Sequence, residues 1–207
     1  RLETYYIHPQ SSPTRAALLT GRYAHNVGLN ADLHVHSPFG LSSNYTTLAD
    51  VLRPHGFYSA AVGKVRRRPM RSLGPPASAP DAPLPRPAGG PSRQWHLGRA
   101  KPSYHPLAHG FNEFVGALGA GGGHVSKEYL GGRDHWRNRR AVADDPRHSN
   151  AVVAEEAERV IAEHAAVRPG RPLFLYLSFS APAPPLQPEP EHLAACAHLP
   201  SARRRDY

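Results

Sequence analysis

Residues 172–179, PLFLYLSF, form an uncharged and almost wholly apolar run. A run of that length between proline-bearing segments fits a strand buried on both faces of a largely parallel sheet. The stretch ahead of it has a helical period: Val153, Ala157, Val160 and Ile161 stand at i, i+4, i+7 and i+8, a stripe that seats a helix on a sheet. Asn150 is placed to cap that helix, and Glu155 to pair with Arg159 on its outer side. Helix followed by buried strand is half of a βαβ unit, so the fold class is α/β. The same order occurs earlier. Residues 47–54 (TLADVLRP) carry Leu48, Val51 and Leu52 at helical spacing, Gly56 stops the helix, and residues 58–62 (YSAAV) read as a short buried strand. The glycine-rich stretch 116–132 and the proline-rich stretch 181–190 predict loops. The second leaves a strand's C-terminal end, where active sites of open α/β sheets collect. No element is readable after Cys196.

The 207 residues, 40% of them hydrophobic, suffice for one core and one domain. An abrupt change of composition interrupts that domain. Residues 65–94 hold eight prolines and no apolar periodicity, which predicts a disordered Pro/Arg-rich insertion. Arg66, Arg67, Arg68, Arg71, Arg86 and Arg93 against the single acid Asp81 supply +5 of the net charge of +9. With Arg203, Arg204 and Arg205 forming a terminal run, the positive charge belongs to no nucleic-acid-binding motif, so no specific nucleic acid partner is expected. No apolar run approaches the roughly 18 residues that cross a bilayer, so no membrane span is predicted. Cys196 is the only cysteine, which excludes an internal disulfide and a cysteine zinc cluster. The chain begins at Arg1 and its only methionine is Met70, so the natural N-terminus is expected upstream. Asn44-Tyr45-Thr46 is a glycosylation sequon and agrees with secretory routing.

Residues 11–22, SSPTRAALLTGR, predict a loop entering a short helix. Ser11 or Ser12 can cap it, Pro13 suits its first turn, and Gly21 permits a left-handed stop. The same string resembles the sulfatase signature, in which Cys or Ser, any residue, Pro, Ser and Arg precede Leu-Thr-Gly-Arg. Ser11, Pro13, Arg15, Leu19, Thr20, Gly21 and Arg22 match it, while Thr14 replaces Ser. Tyr5-Tyr6-Ile7 just ahead resembles the arylsulfatase B-like branch. Gly56-Phe57-Tyr58, Val62-Gly63-Lys64 and Trp95-His96-Leu97-Gly98 resemble one block of that family, divided here by residues 65–94. His109-Gly110-Phe111-Asn112 stands where the family has Arg-Gly-Phe-Asp, and residues 171–177 resemble its buried strand. The resemblance implies that residues 1–207 are an incomplete fragment of a sulfatase N-terminal catalytic domain. The implied fold is alkaline-phosphatase-like, a mostly parallel sheet flanked by helices.

The resemblance also implies a chemistry. Ser11 would be oxidised to formylglycine by a formylglycine-generating maturase, and its hydrated diol would attack the sulfur of a sulfated aryl or carbohydrate substrate. A nucleophile at a helix N-terminus stands in a positive field suited to sulfate oxygens. Arg15 is expected to hold the modified side chain, Lys64 to bind sulfate oxygens, and His96 to take the diol proton that starts sulfate release. Calcium is implied as the metal, with Ser11 as formylglycine one ligand and the others outside the chain. A secretory, lysosomal or extracellular location follows from the same resemblance. Two departures point elsewhere. Ala183 stands where the family has a proton-donating His, and Ser11 requires a maturase that oxidises serine. The alternative is a catalytically inactive sulfatase-like protein that binds sulfated glycans. Lys64 and His96 lie two residues apart in the family and are separated here by the insertion. Every Val codon begins GT and one Gln codon ends AG, so Val65 and Gln94 match intron boundaries and residues 65–94 are expected to be a retained intron.

Overall fold

Helix α1, Ser11–Thr20, begins too early for Ser11 or Ser12 to cap it: Gln10 is the N-cap and makes no side-chain cap bond. Its end falls where the sequence puts it. Gly21 adopts φ +64° and gives its N–H to the Ala17 carbonyl, a left-handed stop that costs little without a Cβ. Helix α2, Leu48–Leu52, is capped by Thr47, whose hydroxyl accepts from the Asp50 N–H while the Asp50 carboxylate accepts from the Thr47 N–H. That reciprocal pair is a capping box. Leu48 and Val51 are 40% and 50% exposed, and Ala49 is the residue turned inward. The neighbour comes close here: a Cβ on Gly110 would stand 2.2 Å from the Asp50 nitrogen, so loop backbone packs directly on α2 beside Ala49.

In this computed structural model the described residues are 6–34, 36–63, 95–119, 123–126, 128–129, 132–142, 146–181 and 186–201. Lys64, the insertion 65–94 and Ala183 lie outside them. After α2 come β1 (Tyr58–Gly63), β2 (Glu113–Gly116), the short pieces β3 (Glu128–Tyr129), β4 (Gly132–Arg133), β5 (Trp136–Arg137) and β6 (Arg140–Ala141), then α3 (Ser149–Val167), β7 (Leu173–Ser178) and α4 (Pro190–Ala195). Five strands join in the order β6-β5-β2-β1-β7. The pairs β1–β2 and β1–β7 are parallel, whereas β2–β5 and β5–β6 are antiparallel. The sheet is therefore parallel at its centre and mixed as a whole. β7 bonds β1 from Tyr58↔Leu173 to Gly63↔Ser178. It is an edge strand among the described ones, half-buried along its length with Leu177 39% exposed, and not the doubly buried strand its apolar run predicts.

The alternation of side chains along β1 and β7 feeds two cores. On one face Ala61, Phe174 and Tyr176 meet Leu19, Leu29, Trp95, Phe111 and Phe114 beneath α1. On the other, Ala60, Val62, Leu173 and Leu175 meet Val153 and Val160 of α3. The cap of α3 is His148, whose ring accepts from the Asn150 N–H; the Asn150 side chain accepts instead from the Ser180 N–H at 3.2 Å. Ile161 is 50% exposed, and the buried stripe continues through His164. Glu155 pairs with Arg147 rather than Arg159. Arg159 turns to the sheet and binds Glu113, Glu156 and Glu163. α4 occupies the end of the predicted proline loop, because Pro190 starts the helix where its missing N–H is harmless.

Candidate active site at the start of α1

Arg15 follows Ser11 by one helical turn, so the two side chains share a face of α1. The Arg15 Nε donates to the Ser11 Oγ at 2.9 Å, and its Nη1 donates at 2.9 Å to both the Tyr176 hydroxyl and the Ser178 Oγ. Tyr176 and Ser178 are alternate residues of β7 and therefore face the same way. One guanidinium thus fastens the first turn of α1 to the C-terminal end of β7. Ser11, Thr14, Arg15, Tyr176 and Ser178 line a cleft of about 400 Å³. A larger cavity of about 770 Å³ runs along the outer side of α1 past Arg22 and Tyr23, and neither Ser11 nor Arg15 lines it. The smaller cleft combines a hydroxyl, a fixed cation and the positive end of a helix, all of which favour an oxyanion.

His96 arrives at the same turn from far along the chain. Its ring Nδ1 makes a short contact with the Ser12 Oγ and lies 3.5 Å from the Asp32 Oδ1, and its Nε2 lies 2.7 Å from the Leu33 carbonyl. A carbonyl only accepts, so Nε2 carries a hydrogen. The ring is 2% exposed, and His96 holds φ +50°, a left-handed conformation uncommon outside glycine. The structure brings Arg15 to Ser11, whereas it brings His96 to Ser12, the next residue. Ser12 also gives its N–H to the Asp32 carboxylate at 2.9 Å, and its Oγ accepts from the Leu33 N–H at 3.2 Å. Asp32 carried no signal in the sequence and Ser12 only that of a helix cap, since their partners lie 20 to 84 residues away.

Two further buried histidines stand on the side of the core below the site. The His105 Nδ1 accepts from the Leu107 N–H and its Nε2 donates to the Asn138 carbonyl, so its neutral form is fully used. Burial lowers its pKa, and the neighbouring Arg139 acts in the same direction. His109 is 1% exposed and packs on the Trp95 indole. The backbones of Leu41 and Ser103 stand beside its ring, outside good hydrogen-bond geometry, and burial lowers its pKa as well.

Among the described residues, Glu189, Glu191 and His192 are the group spaced to hold a cation. They belong to the N-cap and first turn of α4 and do not line the cleft at Ser11. The described residues therefore do not assemble a calcium site around Ser11, and no step below runs through a metal.

A hydroxyl held by arginine at a helix start, tied to the C-terminal end of a parallel strand, is an arrangement whose charge suits an oxyanion, set in an α/β fold. The chain belongs to the sulfatase family, whose model matches residues 1–198. It is similar to mouse arylsulfatase J, 26% identical over 216 aligned positions that cover 100% of this chain and 30% of that protein. Human N-acetylgalactosamine-6-sulfatase is 29% identical over 55% of this chain and 17% of its own length. The solved structure of Ps i-CgsB in complex with k-i-k-neocarrahexaose superposes with a TM-score of 0.74 at 26% identity, covering 97% of this chain and 41% of that one. The sheet and its flanking helices are part of the alkaline-phosphatase-like sulfatase fold, and the chain spans under half of these relatives' lengths.

Proposed function

We propose that this chain is part of a sulfuric ester hydrolase in which Ser11, oxidised to formylglycine, is the nucleophile and Arg15 its orienting cation. The supporting observation is the Arg15 fork, which meets the Ser11 Oγ and reaches β7 with the same group. Formylglycine would supply a gem-diol, one hydroxyl to attack sulfur and the second to expel sulfate. The residues at hand suit that group, because the Ser11 side chain faces a cleft of about 400 Å³ and its cation is pinned by two hydroxyls. Arg15 offsets the charge that grows on the nucleophile and on the sulfate oxygens. His96 backs the same turn. As acceptor of the diol proton it exchanges Ser12 for the neighbouring side chain, and Lys64, next in sequence after β1, is assigned to the sulfate oxygens. The substrate class is a sulfated carbohydrate or aryl sulfate. This agrees with the carbohydrate in the Ps i-CgsB complex and with the names of the curated relatives. Secretory or lysosomal routing is supported by the exposed Asn44 of the sequon.

Residues 65–94 are assigned to a retained intron, and Lys64 and Trp95 to adjacent positions of the mature chain. The test of the enzymatic reading is the mass of the peptide containing Ser11, taken from full-length protein made in a cell with a serine-oxidising maturase. Formylglycine is lighter than serine by two hydrogens, as an oxidised nucleophile requires. Serine of unchanged mass throughout would replace the hydrolase with the non-catalytic reading, a protein that binds sulfated glycans without turnover.

A further inference from the structure

We infer that Asp32 is a positioning residue for the Ser11 site, an inference that rests on Ser11 being the reacting residue. Helix α1 starts without local support: its N-cap Gln10 makes no side-chain cap bond, and its first turn contains no acidic residue. The first N–H groups of a helix need acceptors, and the helix dipole favours a carboxylate there. Asp32 supplies one from outside the helix. Its Oδ1 accepts the Ser12 N–H at 2.9 Å, while its own backbone N–H donates to the Gln10 Oε1 at 3.1 Å. Ser11 is therefore bracketed, because the residue before it and the residue after it are both tied to Asp32.

The same carboxylate oxygen stands 3.5 Å from the His96 Nδ1. The next residue of the loop, Leu33, takes the opposite edge of that ring on its carbonyl and gives its N–H to the Ser12 Oγ. His96 thus sits between Asp32 and Leu33 with Ser12 against it, and its strained φ of +50° is held by these contacts. Asp32 fixes the direction in which the first turn of α1 presents Ser11, and it fixes the imidazole beside that turn. It does so at 21% side-chain exposure, within reach of solvent yet not lining the cleft at Ser11.

The experiment compares wild type, Asp32→Ala, Asp32→Asn and the surface control Glu158→Ala in the full-length protein. Two readouts are taken: hydrogen exchange at the Ser12 amide, and kcat and KM on 4-nitrophenyl sulfate. Asp32→Ala should speed Ser12 exchange about tenfold, the size of a lost cap, with exchange in β1 and α3 unchanged. It should lower kcat about 100-fold, as small misplacements of reacting groups do, with KM within about twofold. Asp32→Asn keeps an accepting oxygen and should restore most of both. Wild-type protection of Ser12 in Asp32→Ala would overturn the inference. So would an unchanged kcat, or a kcat that merely follows the melting temperature with Asn no better than Ala. If wild type itself turns over no aryl sulfate, the Ser11 reading fails. The exchange readout still decides whether Asp32 holds the turn.

Discussion

Removing Arg15 leaves the Ser11 hydroxyl without its cation and cuts the tie from α1 to Tyr176 and Ser178. Loss of a single oriented donor at a developing oxyanion costs about 10²–10³-fold in kcat. Arg15→Ala should therefore lose sulfate-ester hydrolysis by at least that factor in the full-length protein, measured as kcat on an aryl sulfate. Arg15→Lys keeps the charge without the planar fork and should fall between, while Arg204→Ala should match wild type. A second prediction concerns pH. His105 and His109 are held below the usual histidine pKa of 6.5, by burial first. The unfolded chain then binds more protons than the folded one below that value, so both groups favour the fold above pH 6.5 and withdraw their support as the pH falls beneath it. The melting temperature should drop on acidification from pH 7 to 5, and less steeply in His105→Gln, whose amide can keep one of the two bonds. Ser11 and Arg15 were singled out by the resemblance of residues 11–22 to the sulfatase signature, and their contact spans one helical turn. Asp32 was not, because what makes it part of the site is a fold that returns residue 32 to residue 12 and residue 96 to both.

Helix α3 is joined to the sheet by charge as well as by its apolar stripe. Arg159 binds Glu113 at the start of β2 and Glu156 on its own helix, Arg137 of β5 binds the same two carboxylates, and the Tyr58 hydroxyl of β1 donates to Glu113. The Glu113 and Glu156 side chains are only 13% and 16% exposed, so removing Arg159 leaves two largely buried carboxylates to share Arg137 alone. Arg159→Met should destabilise the fold by about 1–2 kcal/mol, below the loss for a fully buried pair, because Arg159 is a third exposed and solvent screens it. Denaturant unfolding measures this. Burial pushes the Glu156 carboxyl up, but hydrogen bonds from Arg159 and Arg137 outweigh it and hold the group below its usual 4.5. Its contribution is complete above pH 4.5 and is lost as the pH falls below that value, so Glu156→Gln should flatten the acid limb of the stability curve. The sequence predicted the existence of α1, α2, α3, β1 and β7, since each has its own periodicity or stop. It missed β2 and the two-residue strands, which are too short to show alternation and form only against a partner: β2 on β1, β5 on β2, β6 on β5, and β3 with β4. It paired Glu155 with Arg159 because i,i+4 spacing is visible in a sequence, whereas the pull of Glu113 across the sheet is not.

Strand β1 ends at Gly63, and its path along β2 is taken up again at Trp95. The β1–β2 ladder ends at Gly63↔Gly116, and the Trp95 and His96 N–H groups then donate to the Ala117 and Leu118 carbonyls just beyond β2. The intervening 65–94 can therefore be cut without moving either end far. Trp95, 1% exposed, is fixed independently by its indole N–H on the Tyr104 carbonyl and by its edge contact with Phe111, so its seat in the core does not depend on the residues before it. Joining Lys64 directly to Trp95 also removes the entropy of closing a loop of that length. That cost grows by about 0.6 kcal/mol with each doubling of the loop. The shortened chain should fold to the same sheet and melt at an equal or higher temperature than the chain with residues 65–94. Lys64 would then stand two residues before His96, the spacing at which alternate side chains of an extended segment face one way. Circular dichroism and thermal melting of the two full-length forms test the fold, and sequencing the mature transcript across codons 64–95 tests the origin of the segment. A shortened chain that cannot fold would make residues 65–94 a structural part of the domain, and a mature message that retains them would end the intron assignment.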